Sequence, residues 1–300
     1  MPDTDRSGGG AALVMAAAVL WGTTGTAQAL ASYDGSALPL GSARLVVASL
    51  ILAGIAAARR VSWRHAFASR RTTAIVLLGA VCVATYQPAF FFGVQRTGVA
   101  VGTLTAIGSA PIFAGLGTLL TGQRLSRVWW LSTATVLLGL GLLLRVEGAL
   151  RFDAAGLAAC LVAGASYAAY TATSRSLLAA GMPPTGVITF LFAGGATLLF
   201  VAAPVANTTW LAEPHHLYLA VYLGVVATAL PYLIWVAGLR SVRTSTAATL
   251  SLTEPLTAAL LGWLVLREPL TATGLVGAGL VLAGLAVTAI SRSPVPGSSP

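Results

Sequence analysis

Charged residues are scarce in this chain of 300 residues, and lysine is absent. Only 8% of the residues are charged, whereas charged residues make up about 25% of an average soluble domain. Hydrophobic residues instead account for 57% of the chain. This composition excludes a soluble globular domain and indicates an integral membrane protein, for which the lipid bilayer is a necessary partner. We interpret the missing lysine as compositional bias and not as chemistry.

Cysteines and nucleotide-binding motifs are also lacking. The two cysteines, Cys82 and Cys160, fall inside apolar runs and form no set with the spacing of metal ligands. We therefore expect no disulfide, no metal and no cofactor. The chain contains no glycine-rich P-loop, which argues against direct use of ATP.

The formal net charge of +9 would be typical of a nucleic-acid-binding protein if the 17 arginines shared one face. They lie instead in short loops between apolar runs, so we expect no nucleic-acid partner. With the N-terminus in the cytoplasm, twelve arginines fall on the inner side and four on the outer side. This bias predicts a multi-pass protein of the plasma (bacterial inner) membrane with both termini cytoplasmic.

Ten apolar runs are long enough to span a bilayer. They lie at residues 11–31, 38–58, 73–95, 98–120, 128–146, 154–175, 184–204, 216–238, 244–266 and 271–290. The predicted fold class is therefore an all-α integral membrane protein with ten transmembrane helices. The first run is interpreted as a retained helix and not as a signal peptide, because the residues before it lack a basic cluster. Residues 1–10 and 291–300 are predicted to be cytoplasmic tails, the second of them disordered.

The second half of the sequence resembles the first. Trp21-Gly22-Thr23 meets Tyr167-Ala168-Ala169 at an offset of 146, and Ser109-Ala110-Pro111 meets Thr253-Glu254-Pro255 at an offset of 144. Because five spans per half is an odd number, the two halves enter the membrane in opposite senses. We predict two inverted repeats, residues 11–146 and 154–290, around a central cavity. Chance alignment of apolar runs is the alternative.

Glu254 and Pro255 interrupt the ninth apolar run. Glu254 lies about 15 Å into this run, near the centre of a hydrocarbon layer about 30 Å thick. A carboxylate at that depth costs about 2.5–3.5 kcal/mol, and proline removes a backbone donor. We predict helix breaks at Pro111 and Pro255 and a substrate or proton-coupling site at Glu254. A hydrogen-bonded, protonated glutamate beside an incidental kink is the alternative.

Polar and aromatic residues share faces in equivalent helices of the two repeats. Their helical spacing predicts that they surround one cavity, although aromatic residues are also common in helix cores and at membrane boundaries. The predicted substrate-binding residues are Trp21, Thr24, Gln28, Gln87, Phe90, Ser109, Tyr167, Tyr170, Tyr232, Trp235 and Glu254.

Two further features leave alternatives open. Arg44 lies within the second run, where it either extends to the outer surface or faces the cavity as an anion site or a partner for Glu254. The fifth and tenth runs are rich in glycine, among them Gly139 and Gly277, which favours close helix packing. These runs are interpreted as scaffold or as the contact of a homodimer.

Several motifs, in order and spacing, make the chain similar to a known family over about residues 11–290. They are Trp21-Gly22-Thr23, Pro111, Ser166-Tyr167 followed by Tyr170, Glu254-Pro255, Gly262-Trp263 and Arg267-Glu268-Pro269. The chain resembles the EamA-type transporters of the drug/metabolite transporter superfamily. The resemblance implies a basket of ten helices whose pocket is lined by helices one, three, four, six, eight and nine. Gln123 departs from the family pattern, which usually has glutamate there.

The function expected from this resemblance and from the inverted repeat is secondary transport. We expect alternating access that moves a small amphipathic organic metabolite, amino acid-like or drug-like, across the plasma membrane, with export as the expected direction. Proton coupling through Glu254 is the simplest coupling scheme. A channel-like facilitator is the alternative, followed by a polytopic membrane enzyme, although we expect no catalytic residues.

The predicted topology can be tested with reporter fusions. A fluorescent protein fused after Pro300 should fluoresce, and alkaline phosphatase at the same position should be inactive, because this end is expected in the cytoplasm. Phosphatase inserted between the seventh and eighth runs, within residues 207–212, should be active and serves as the matched control. An active phosphatase at the C-terminus would contradict the predicted orientation.

Overall fold

The computed structural model describes residues 4–33, 37–62, 64, 67–144, 153–202, 213–267 and 271–291. Within these ranges the chain is helical and contains no strand. The helices are α1 (Thr4–Leu30), α2 (Ala37–Ala58), α3 (Arg70–Thr97), α4 (Val99–Leu120), α5 (Arg127–Leu143), α6 (Ala154–Ala179), α7 (Pro184–Ala202), α8 (Pro214–Gly224), α9 (Leu230–Gly238), α10 (Thr244–Leu250), α11 (Thr253–Leu264) and α12 (Ala272–Ile290).

The predicted class of an all-helical membrane protein is confirmed. Eight helical stretches among the described residues are long and apolar enough to cross a membrane, and α5 is a shorter apolar helix. The predicted ninth span consists of two short helices, α10 and α11. The exact number of ten spans stays a prediction.

The termini differ from the predicted tails or lie outside the described part. Helix α1 begins at Thr4, so residues 4–10 are helical and lead into the first candidate span, and their cytoplasmic position stays a prediction. Of the predicted disordered tail, residues 292–300 lie outside the described ranges. The Glu268-Pro269 portion of the resemblance also lies outside them.

The chain between α10 and α11 turns at Ser251 and Leu252. The N–H of Leu252 donates to the carbonyl of Thr249 at 3.0 Å, and the N–H of Glu254 donates to that of Ser251 at 3.0 Å. Pro255 lies in the first turn of α11, where a backbone N–H has no helical partner and its loss costs little. The helix is thus interrupted directly before Glu254.

No such interruption occurs at Pro111. Helix α4 runs unbroken through this proline, so the predicted break there is wrong. Proline removes a single backbone donor, and a bundle interior can compensate for that without unwinding the helix. A different irregularity escaped the sequence analysis: a π-helical turn over Val225–Ala229 joins α8 to α9 directly before Pro231. The Thr228 hydroxyl donates to the carbonyl of Leu223 at 2.7 Å within this turn.

Helices of the two halves interleave. Helix α3 packs against α6 and α7, α1 against α9 and α11, and α5 against α12. Most helix contacts in the described part therefore join a helix before residue 146 to one after residue 154. The halves form a single bundle, and any cavity between them is bounded by both.

The contact between α5 and α12 depends on two glycines. A Cβ atom at Gly277 would lie 2.6 Å from the carbonyl oxygen of Gly139, and one at Gly139 would lie 2.7 Å from that of Gly277. The Thr288 hydroxyl of α12 also donates to the Ser132 hydroxyl of α5 at 2.8 Å. These glycines therefore serve packing within the chain, and the homodimer stays a prediction.

Substituting Gly277 should destabilise the bundle, because the added methyl group meets backbone atoms that cannot move aside. We expect Gly277→Ala to cost roughly 1–3 kcal/mol of unfolding free energy. Gly279→Ala is the matched control. Gly279 lies in the same helix, and no atom lies within 4 Å of the Cβ that this substitution adds. Thermal unfolding of the purified variants in detergent measures both. Equal melting temperatures for the two variants would contradict the packing described here.

Candidate functional site

A cavity of about 580 Å³ lies between helices of the first half and α11. Its lining comes from the end of α1, the start of α2, the end of α3 and the start of α4, which all lie towards one end of the bundle. The arginine bias predicts that this end is the outer one. The lining residues are Trp21, Gly22, Thr24, Gly25, Gln28, Leu40, Gly41, Arg44, Tyr86, Gln87, Phe90, Phe91, Thr103, Ile107, Leu143, Leu144, Leu223, Glu254, Pro255, Ala258, Ala259 and Trp263.

Two opposite charges line this cavity. Glu254 enters from the first turn of α11 and Arg44 from α2. The two side chains are close enough to interact electrostatically, yet among the described residues they form no ion pair within 4.0 Å. The Arg44 Nε is buried and has no hydrogen-bond partner among the described residues. Arg44 therefore lines the cavity, as one of the two alternatives from the sequence expects.

Glycines let the helices approach closely beside these charges. A Cβ atom at Gly22 would lie 2.7 Å from the carbonyl oxygen of Glu254 and 2.6 Å from the Cβ of Thr257. A Cβ atom at Gly41 would lie 2.9 Å from the Phe91 ring. Glu254 is also placed in the first turn of a helix, where the backbone dipole favours negative charge.

Aromatic rings and amides form the walls. The rings of Tyr86 and Phe90 stack with their centroids 6.0 Å apart. Gln87 is buried beside them, and Gln28 donates from its side-chain nitrogen to the carbonyl of Thr24 at 3.3 Å. Of the predicted substrate-binding residues, the cavity lining includes Trp21, Thr24, Gln28, Gln87, Phe90 and Glu254.

The predicted aromatic residues of the second half lie outside the cavity lining. Tyr167, Tyr170, Tyr232 and Trp235 pack together as a layer that we call the aromatic floor. Tyr170 and Trp235 are 1% and 0% exposed, and Trp21 joins the floor to the cavity with its ring centroid 4.8 Å from that of Tyr232. The floor is therefore buried directly beside the cavity in this conformation.

Hydrogen bonds fix the aromatic floor. The Tyr167 hydroxyl donates to the Ser251 hydroxyl at 2.7 Å, directly at the turn between α10 and α11. The hydroxyls of Tyr170 and Tyr232 lie 3.2 Å apart. Because Ser251 is three residues before Glu254, the floor and the charged site share one interrupted helix.

Ser109 also lies outside the cavity lining. It is buried where α4 crosses α6, and its hydroxyl donates to the carbonyl of Ala106 at 3.1 Å. A Cβ atom at the neighbouring Gly164 would lie 2.6 Å from that same carbonyl oxygen. This face of α4 is therefore turned towards α6.

The cavity includes residues and a helix that the sequence analysis did not select. Tyr86 lies four positions before Phe90, a spacing that could have revealed it. Trp263 and Thr103 had no such signal. Helix α2 contributes Gly41 and Arg44 to the lining, although the resemblance implied no role for the second helix. The sixth helix, which the resemblance placed in the lining, contributes no residue to it.

One ion pair joins the halves near the mouth of the cavity. Arg96 at the end of α3 lies 3.2 Å from Asp153, which caps α6 by accepting a hydrogen bond from the N–H of Gly156 at 2.6 Å. This bond and the arginine charge favour the carboxylate, so the pKa of Asp153 is lowered. The stabilisation is present at neutral pH and is lost as the pH falls through that lowered pKa. The pair is exposed and contributes little.

Accessibility of introduced cysteines should follow the cavity lining. We expect Gln28→Cys to react with a membrane-impermeant maleimide added from the outer side. Ser174→Cys, its equivalent in the second repeat, should stay unreactive because Ser174 is 0% exposed. The native Cys82 and Cys160 are buried and give little background. Equal labelling of the two variants would contradict a cavity open at this end.

Comparison with known proteins gives consistent results. The pattern of the EamA-like transporter family matches residues 8–145 and 154–290. An uncharacterized transporter of Bacillus subtilis (strain 168), YwfM, is 39% identical over 283 residues, which cover 94% of this chain and 93% of the relative. An uncharacterized transporter of Archaeoglobus fulgidus is 30% identical over 221 residues, covering 73% of this chain and 76% of the relative.

A protein of known crystal structure shares the fold. It superposes with a TM-score of 0.78 over 93% of this chain and 96% of its own, at 19% sequence identity. The family pattern covers nearly the whole chain in two segments, and the Bacillus relative matches it almost end to end. The chain belongs to the EamA-like transporter family, within the drug/metabolite transporter superfamily.

Proposed function

We propose that this transporter moves a small amphipathic organic metabolite, amino acid-like or drug-like, across the plasma membrane by alternating access. The observation that carries the proposal is the placement of Arg44 and Glu254 in one cavity with aromatic walls around them. Charges in a membrane helix are expensive and mark substrate or ion pathways. We propose export as the direction and cytoplasmic positions for both termini, so that the cavity faces outward.

The size and chemistry of the cavity support a small solute. A volume of about 580 Å³ falls within the range of about 300–1,000 Å³ for small-molecule sites. The charges of Arg44 and Glu254 offer a positive and a negative pole, and Phe90 and Trp21 offer apolar surface. We propose that Trp21, Thr24, Gln28, Gln87, Phe90 and Glu254 contact the solute in this conformation.

The aromatic floor supports alternation between two conformations. Access from the opposite end requires the Tyr167–Ser251 and Tyr170–Tyr232 hydrogen bonds to break. Tyr167 and Tyr170 occupy the positions in the second repeat that Trp21 and Thr24 occupy in the first. In inverted repeats the two conformations exchange the roles of equivalent helices. We propose that Ser109, Tyr167, Tyr170, Tyr232 and Trp235 contact the solute when the cavity opens inward.

A carrier fits the closed floor better than a channel. A channel needs a continuous polar path, whereas the four aromatic side chains next to the cavity pack against one another. Proton coupling would use Glu254, because a carboxyl group can accept a proton from one side and release it to the other as access alternates. The turn at Ser251 and Leu252 gives this residue a segment that can move with the floor.

The transported class can be identified by screening. The purified protein in detergent is heated in the presence of individual amino acids, amines and amphipathic drugs, and compounds that raise the melting temperature are tested for uptake into proteoliposomes. We expect hits that carry both an apolar group and a charge, with saturable uptake. Flux that rises linearly with concentration and never saturates would favour the facilitator.

Glu254→Gln should abolish the response of transport to a pH gradient, since glutamine cannot carry the proton. For a hit from the screen, we expect the rate under an imposed gradient to fall by about tenfold or more, a difference of about 1.4 kcal/mol in the barrier. Glu213→Gln, which changes an exposed glutamate, is the control and should behave as wild type. Wild-type rates for Glu254→Gln under every gradient would rule out coupling through this residue.

A further inference from the structure

A second cavity lies at the opposite end of the bundle from the first. It is a groove of about 660 Å³ between the C-terminal halves of α4 and α6, closed at one end by the start of α10. Its depth is lined by Leu116 of α4 and by Ala168 and Ala172 of α6. Its end at the helix termini is lined by Arg175 and Arg243. The groove is therefore apolar along its length and cationic at one end.

The dimensions of the groove match one leaflet of a bilayer. Its lining on α4 extends from Phe113 to Leu120 and on to Gln123 in the following turn. The helical part of this lining, Phe113–Leu120, extends about 10 Å at helical rise, so the groove fits within one half of a hydrocarbon layer about 30 Å thick. Leu116 is 47% exposed and Leu120 is 88% exposed, so this face of α4 turns its apolar side chains outward, towards lipid.

The two arginines are held in place at the mouth of the groove. Arg175 donates to the backbone carbonyls of Leu239 and Val242, after the end of α9. Arg243 donates to the carbonyl of Arg124 at 3.3 Å. A guanidinium has five N–H donors in a fixed planar arrangement and suits the recognition of phosphate.

The charged side chains in the described lining of this groove are both cationic. Arg175 and Arg243 repel each other electrostatically. No carboxylate belongs to the described residues that line the groove. An anion placed between the two guanidinium groups would remove this repulsion.

We propose that this groove binds an anionic phospholipid of the cytoplasmic leaflet, with one acyl chain between α4 and α6 and the headgroup phosphate between Arg175 and Arg243. The apolar depth, its length and the paired cations each match a part of that ligand. Basic pockets between transmembrane helices on the cytoplasmic side recognise lipid headgroups in this way.

The position of the groove gives the lipid a consequence for transport. Helix α4 belongs to the first half, and α6 and α10 belong to the second. An acyl chain bound between these helices would lie across the boundary at which the two halves move. Such a lipid would favour the conformation in which the groove is open. Lipid composition would therefore change the transport rate as well as stability.

Lipid titration of the full-length protein tests the proposal. The detergent-purified protein is titrated with dioleoyl phosphatidylglycerol or dioleoyl phosphatidylcholine, and apparent affinity is read from thermal unfolding and from lipid retained in native mass spectrometry. Each arginine near an anionic headgroup contributes a factor of about five in affinity. We expect Arg243→Gln to lower the apparent affinity for phosphatidylglycerol about fivefold and to leave the affinity for phosphatidylcholine unchanged.

Two further variants complete the design. Arg240→Gln removes an exposed arginine at the same end that does not line the groove, and it should keep wild-type affinity within about twofold. Ala172→Trp fills the apolar part of the groove and should abolish preferential phosphatidylglycerol retention while all arginines remain. This variant tests the proposed acyl-chain site independently of the proposed headgroup site.

Any of four results would overturn the proposal. The first is equal affinity of the wild type for the two lipids, and the second is an equal loss in Arg243→Gln and Arg240→Gln. The third is a stability shift with inorganic phosphate alone that equals the shift with phosphatidylglycerol, since that result would indicate an anion site without an acyl chain. Retained lipid preference in Ala172→Trp together with loss of solute transport would assign the groove to the solute instead.

Discussion

The cost of placing charge in a membrane constrains the structure more than any other single factor. A carboxylate and a guanidinium can remain at membrane depth only if the surrounding helices exclude lipid and provide polar or aromatic contacts. Glu254 and Arg44 meet this condition in a cavity between helices of both halves. The interruption of the ninth span places Glu254 at a helix start, and Gly22 brings α1 against it. The interleaved packing of the two halves therefore encloses the cavity that holds both charges.

Close helix crossings make the two halves interdependent. Gly22, Gly139 and Gly277 have no side chain, and each lies where the backbones of opposite halves come into close contact. Without a hydrophobic force between helices in lipid, such close packing and hydroxyl hydrogen bonds hold the bundle together. The crossings are tight, whereas the aromatic floor depends on hydrogen bonds between side chains that can change partners. Motion between conformations is therefore expected at the floor and at the turn before Glu254, with α5 and α12 as a fixed support.

The sequence predicted the membrane class, and six of the eleven residues that it predicted as substrate-binding line the cavity. Helical spacing places Trp21, Thr24 and Gln28 on one face in any conformation. The repeat predicts which faces are equivalent, but it does not say which half lines the cavity in a given conformation. Tyr167 and Trp235 therefore pack in the floor here. The break at Pro111 was predicted from residue type alone, and helix continuity depends on neighbours that a single helix sequence does not reveal.

Alternating access requires the two ends of the bundle to open in turn. Pulsed electron paramagnetic resonance between spin labels measures this directly, with one pair at Ala29 and Leu264 near the mouth of the cavity and one at Leu120 and Ala179 near the groove. These four positions are exposed. On saturation with a transported solute, the account predicts that the first distance shortens while the second lengthens. Distances that both stay unchanged, or that shorten together, would contradict it.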